Sequence, residues 1–246
     1  MNQCYHHLLF SGSIILAVTR TVFSIKRQIS NLAKYDICKL HFNLICTNLK
    51  KVFRYFIIHK PFNVLSQFSP VEHKKTLKDF FKVPVDIYPV GRLDYDSEGL
   101  LILTNDTTLN KKLLHPTHAH EREYWIQVDG IISNESLQQL SKGVIITVDG
   151  KKYHTKSCKA TLFETAPEVS ERNPPVRFRK NIPTSWIKLI LTEGKNRQVR
   201  KMTAAVGFPT LRLIRYRIEQ LTLDELRPGE IAELSQVEIS HALFLK

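Results

Sequence analysis

The chain has 246 residues, enough for one two-lobed domain or two small ones with a real core. Lys and Arg total 36 against 23 Asp and Glu, a net charge of +13 that suits a polyanionic partner. The four cysteines form no CxxC pair, and no apolar run approaches the ~18 residues of a membrane span, so a zinc framework, a disulfide scaffold and a spanning helix are not supported.

The first fifty residues carry six basic residues and one acid, Asp36. Ser13–Val18 is apolar but short, follows no Lys or Arg, and makes a poor secretory signal. The acid-poor character resembles an organellar transit peptide, but a poorly ordered basic arm is the simpler expectation. The expected domain therefore runs over 51–246, in a reducing cytoplasm.

From Val52 the pattern changes. Val52–Ile58 is β-rich and ends in the turn His59-Lys60-Pro61. Thr76–Lys82 is expected to be a short amphipathic helix. Leu100–Thr104 reads as an apolar strand, followed by a helix capped by Asn105 or Asp106 and running to Leu114. Tyr124–Val128 is a strand. Ser133 or Asn134 caps a helix to Lys142, which Gly143 stops. Asp149-Gly150 marks a hairpin turn. Glu164–Pro183, with four prolines, is a long loop, and Trp186–Leu191 is a strand. After Gly194 a helix runs from about Asn196 to Val206, with Val199, Met202 and Val206 on its apolar face. The mixture predicts an α+β fold on a largely antiparallel sheet.

Charge is unevenly spread. From Arg172 to Arg217 there are twelve Lys or Arg residues and one acid, Glu193. A one-signed stretch threaded with Pro, Trp and Tyr fits a phosphate-tracking surface better than a generic solvated one. Arg212, Arg215 and Arg217 alternate with apolar residues and suggest a strand with one basic face. His115, His118 and His120 lack metal-ligand spacing and read as loop histidines. Trp125 and Trp186, on strands, read as core.

Two segments carry chemistry. In Gly91–Asp106, GRLDYDSEGLLILTND, four acids and one Arg border an apolar strand. The opening resembles a calcium loop, but the twelfth position is Asn105 and LLILT intervenes. A solvated acidic turn accounts for Asp96 and Glu98 better than for Asp94. In Glu193–Met202, EGKNRQVRKM, a glycine turn feeds a helix on which Arg197, Arg200 and Lys201 share a face. Alone, this second segment says only that RNA or DNA is bound.

Together, GRLD, EGLLILTND and EGKNRQVRKM resemble the RNA pseudouridine synthases of the RsuA family, over roughly residues 52 to 235. No S4-type RNA-binding segment is recognised in the first fifty residues. The resemblance implies a mixed, mainly antiparallel sheet with flanking helices, split into two lobes with a central cleft. It implies that Asp94 is the catalytic aspartate, Arg92 the residue that helps expel the target nucleotide, and Tyr124 the base-stacking tyrosine. The lysine that precedes this tyrosine in the family is Arg122 here. Arg200 is implied to pair with the aspartate, and Leu191 to line the uracil pocket. Lys195, Asn196, Arg197 and Lys201 are expected to grip phosphate, and Lys60 to hold structure with possible RNA contact.

The implied reaction neither oxidises nor hydrolyses, so it asks for no cofactor and no metal. The implied partner is large-subunit ribosomal RNA, with no membrane and a monomeric enzyme. Two other readings stay open on the residues alone. One is a non-catalytic RNA-binding ribosome-assembly protein, which has no need to keep Asp94, Arg92, Tyr124 and Arg200 together. The other is a magnesium-dependent RNA hydrolase using Asp94, Asp96 and Glu98, which a chelator would inhibit.

Overall fold

A computed structural model describes residues 52–177, 182–224 and 226–244. The expected basic arm lies outside them. Thirteen strands are described: β1 Tyr55–Lys60, β2 Val64–Leu65, β3 Lys75–Thr76, β4 Tyr88–Pro89, β5 Glu98–Thr104, β6 Arg122–Asp129, β7 Ile145–Val148, β8 Lys151–His154, β9 Lys159–Leu162, β10 Thr184–Leu191, β11 Thr210–Ile218, β12 Leu221–Thr222 and β13 Ile231–Leu234. The helices are α1 Thr107–Leu114, α2 Asn134–Lys142, α3 Gln198–Ala205 and α4 Gln236–Phe244.

The main sheet runs β13-β1-β5-β11-β6-β10-β9, with β4 on β5 and β12 on β11. Its pairings are antiparallel except one: β11 meets β5 in parallel, with Ile214 opposite Glu98 and Arg215 opposite Gly99. That seam divides two lobes. β1 and β5 are buried along their whole length because both faces are covered, which is why FIIH and LLIL read as continuous rather than alternating apolar runs. On the β5 side of the seam Leu100 and Ile102, joined by Ile214 from β11, face Leu109, Leu113 and Ile239 of the helices. On the other side Ile126, Ile187 and Leu189 pack on Leu140, Val199 and Met202.

Gly99 sits at the seam with φ +116, and a Cβ there would lie 2.4 Å from Arg215 O and 2.6 Å from Arg215 N. Only glycine lets the two strands approach so closely.

Most expected elements are present. The Asp106 carboxylate caps α1 by accepting from the N–H groups of Thr108 and Leu109, and Ser133 caps α2 through Ser136 N–H. The hairpin at Asp149-Gly150 joins β7 to β8. The helix expected over Thr76–Lys82 is instead strand β3 followed by one 3-10 turn, Leu77–Asp79. Asp79 accepts from both Thr76 N and Thr76 Oγ1, which closes a tight turn, while Leu77 and Phe81 bury themselves in the core. Trp125 is half-buried and stacks on Tyr216 with ring centroids 3.8 Å apart.

The basic face expected on Arg212, Arg215 and Arg217 does not form. A bulge between Arg215 and Arg217 breaks the alternation. Arg212 and Arg215 are buried, and Arg217 is held by Glu121 and Glu123. Glu98, expected on a solvated turn, is 2% exposed and takes a two-pronged hydrogen bond from Arg212 at 2.9 and 2.8 Å. His120 is no free loop histidine: its Nδ1 lies 3.0 Å from Glu219 Oε1 and both residues are buried.

Candidate active site

A cleft of about 500 Å³ opens along the seam. Asp94, Arg92, Tyr124, Arg122, Leu191, Lys195, Asn196 and Arg197 all line it.

The aspartate loop is built by local anchors. Ser66 Oγ donates to Leu93 O at 2.8 Å and accepts from Leu93 N at 3.1 Å, fixing the residue before Asp94. Ser97 N–H donates to Asp94 O and closes the turn. Leu93 is buried, while the Asp94 side chain is about one-third exposed and stands in the cleft. Across the cleft, Tyr124 projects from β6, where it pairs with Leu189 of β10 and Arg215 of β11. Leu191, 2% exposed, gives the cleft an apolar wall.

The cations divide differently from expectation. Arg200, expected on Asp94, instead holds Asp96: its Nη2 donates to Asp96 O at 2.5 Å and its Nε lies 3.3 Å from Asp96 Oδ2. Arg197 forks onto the same carboxylate with two bonds of 2.8 Å, and its Nη1 lies 3.8 Å from Asp94 Oδ2. The cation nearest Asp94 is thus Arg197 rather than Arg200. The reason is local: Arg197 takes a left-handed conformation at the helix entry, φ 52, which turns its side chain towards the aspartate loop. Burial pushes the Asp96 carboxyl up, but the Arg197 fork and the Arg200 charge outweigh it and hold it below its ordinary value. Burial lowers the Arg200 pKa, opposed by Asp96 and, more weakly, by Asp94.

Asp96 therefore carries a role that its sequence neighbourhood did not disclose. It ties the aspartate loop to α3. Glu193 has a similar part, accepting from Lys156 N–H at 2.9 Å, Gln198 Nε2 at 2.6 Å and Tyr153 Oη at 2.5 Å. That network binds the β8–β9 connection to the turn before α3. The helix also starts later than expected, at Gln198, whose side-chain oxygen takes up Lys195 N–H. Lys201 is half-buried and lies outside the cleft lining, so it does not join Arg197 at the rim.

Lys60 keeps the structural part of its expected role and loses the RNA contact. It is fully buried, and its Nζ donates to Pro61 O at 2.9 Å and Val64 O at 2.7 Å, with Tyr95 O at 3.5 Å. It supports the aspartate loop from beneath and has no face for RNA. Burial pulls its pKa down from 10.5 to about 7, against the pull of Glu98, Asp96 and Asp94. Between those values the unfolded chain carries a proton that the folded chain has shed. Stability should therefore rise with pH across that window. The urea midpoint of wild type, minus that of Lys60→Met, is expected to grow from about pH 7 to about pH 10. A flat or falling difference would contradict the burial of this lysine.

Arg122 spends part of its guanidinium on backbone, donating to Leu113 O at 2.9 Å and His120 O at 3.4 Å, and still lines the cleft. Arg92 is exposed at the rim. Among the described residues no helix is long and apolar enough to cross a membrane.

Comparison with known proteins agrees with this architecture. The RNA pseudouridylate synthase family matches residues 54–205. Ribosomal large subunit pseudouridine synthase E of Vibrio parahaemolyticus is 49% identical over 178 residues, which is 72% of this chain and 72% of that protein. Ribosomal large subunit pseudouridine synthase B of Bacillus subtilis is 38% identical, covering 75% of this chain and 69% of the relative. A crystal structure of a pseudouridylate synthase superposes with a TM-score of 0.62 at 25% identity, over 79% of this chain and 76% of its own. The family match, the identity to these relatives and the superposition agree, and the chain belongs to the RNA pseudouridylate synthase family.

Proposed function

We propose that this protein converts a uridine of large-subunit ribosomal RNA into pseudouridine, with Asp94 as the catalytic group. One observation carries the proposal: Asp94 stands in a cleft beside a flat aromatic face, Tyr124, and an apolar wall, Leu191, under a cationic rim. The names of the relatives support large-subunit ribosomal RNA as the substrate.

The residues divide the work. A target base stacked in RNA must be flipped out before its sugar bond can be reached. Arg92, at the rim, is placed to fill the space that the base leaves. Lys195 and Asn196 are exposed beside it and suit phosphate. Tyr124 receives the face of the flipped base. Asp94, in its ionised form, acts on the nucleotide as nucleophile or base, held near its working position by Arg197 and by the loop that Asp96 ties down. Arg200 acts through Asp96, and Arg122 shapes the cleft wall. The reaction needs no cofactor, because the base leaves through nitrogen and returns through carbon with no net change of oxidation state.

Residues 51–246 hold this activity in our reading, acting as a monomer in the cytoplasm. The direct test is release of tritium from C5-labelled uridine in unmodified large-subunit ribosomal RNA. Release that saturates at one site is expected. RNA binding without release would instead favour a ribosome-assembly protein on the same fold.

A further inference from the structure

Arg215 is the arginine of the cleft for which the reaction above leaves no task. Resting on that reading of the site, we propose that Arg215 is a further catalytic residue: its guanidinium donates a hydrogen bond to a carbonyl oxygen of the flipped uracil and holds the negative charge that the ring gains as its bond to the sugar breaks.

Position comes first. Arg215 lies on β11 at the parallel seam, opposite Gly99 on one side and Tyr124 on the other. It is 6% exposed and lines the cleft together with Asp94, Tyr124 and Leu191. Its Nε donates to Leu100 O at 2.8 Å, which fixes the plane of the guanidinium. Its Nη2 is buried and has no hydrogen-bond partner.

Charge is the second observation. The other arginines of β11, and those of α3 and its entry, each have a carboxylate. Arg197 and Arg200 share Asp96, Arg212 has Glu98, and Arg217 has Glu121 and Glu123. Among the described residues, no carboxylate lies within ion-pair distance of Arg215. Burial lowers its pKa, and the Tyr124 hydroxyl facing it pulls the other way. A guanidinium desolvated in this way, interacting with the Tyr124 hydroxyl but with no carboxylate counter-ion and an unpartnered Nη2, is costly to keep. Fixed donors beside a reacting group are how active sites stabilise a transition state without reorganising, and Arg215 lines the cleft with its guanidinium already held by Leu100 O.

The chemistry balances. When the C1′–N1 bond breaks, its electron pair leaves with the base and spreads onto O2 and O4. The same pair later forms the C1′–C5 bond. The C5 proton is then lost and a proton is added at N1. Arg215 keeps its own protons throughout and serves only the charged base between the two bond changes. Cleavage is the step it accelerates.

The test compares wild type, Arg215→Met and Arg215→Lys on RNA carrying either uridine or 5-fluorouridine at the target. Fluorine makes the departing base a weaker base and a better leaving group. Loss of the parent nucleoside is followed under single-turnover conditions, with RNA affinity and urea unfolding measured alongside. Arg215→Met is expected to slow cleavage of the uridine substrate by about 10²–10³-fold, the scale of losing one preorganised donor. It should slow the fluorinated substrate by a clearly smaller factor, with RNA affinity unchanged. Arg215→Lys, which keeps the charge but not the fork, should fall between the two and serves if the Met variant does not fold. Equal slowing of both substrates, or a loss explained by weaker RNA binding, overturns the assignment. Wild-type turnover beside an unaffected Arg215→Met overturns this inference alone. Absence of turnover by wild type overturns the functional reading and this inference with it.

Discussion

Asp94→Asn is expected to lose conversion of uridine by a factor on the order of 10⁴ or more, with RNA affinity retained. Asn has the shape of Asp but no anionic oxygen, so it can neither attack nor take a proton. The loop that carries it is held by Ser66 on Leu93, by the Ser97 turn and by the Asp96 clamp, none of which uses the Asp94 carboxylate. The exchange therefore tests chemistry rather than folding. Tritium release and filter binding on the same preparation would separate the two. A variant that keeps its rate within tenfold of wild type removes Asp94 from the centre of the mechanism.

Glu98→Ala is expected to be the most damaging single change to stability, at about 3–5 kcal/mol. Glu98 and Arg212 are buried at 2% and 5% exposure and joined by two short bonds. Removing the carboxylate leaves a buried guanidinium with only Ser170 O as an acceptor at 2.8 Å. The double change Glu98→Leu with Arg212→Met removes both charges and should recover most of the loss. Urea denaturation of the three variants would show it. If Glu98→Ala unfolds at the wild-type midpoint, the pair is not bearing on stability.

The sequence was most informative where function and local pattern coincide. Asp94, Arg92 and Tyr124 stand in short motifs, and the structure brings all three to one cleft. α1 and α2 were readable because their caps, Asp106 and Ser133, lie next to the elements they start. What failed was pairing at long range. Glu98 looked like part of an acidic turn because its partner, Arg212, is 114 residues away. Arg212 and Arg215 looked like an RNA-facing stripe for the same reason, and the bulge in β11 has no sequence mark strong enough to warn of it. Lys60 sits in a turn-like His-Lys-Pro string, which suggests a structural role but not full burial. Its burial depends on three carbonyls gathered from two separate segments. Resemblance points to Arg200 as the partner of Asp94, and helical spacing only puts Arg197 on the same face; neither shows that Arg197 enters the helix through a left-handed turn.

The parallel seam between β5 and β11 bears on which partner bends when enzyme and RNA meet. Gly99 lets the strands touch, Arg212 clamps Glu98 across the joint, and Arg215 bonds Leu100 O over it. Spreading the lobes would part the Arg212–Glu98 ion pair and the Arg215–Leu100 bond together. Drawing one uridine out of its stack costs a few kcal/mol, and less where the base is already unpaired. On our reading of the function, a joint clasped in this way leaves the distortion to the RNA, an anvil rather than a jaw. Uridines in loops or weak stems are then expected to react faster than those in firm duplex.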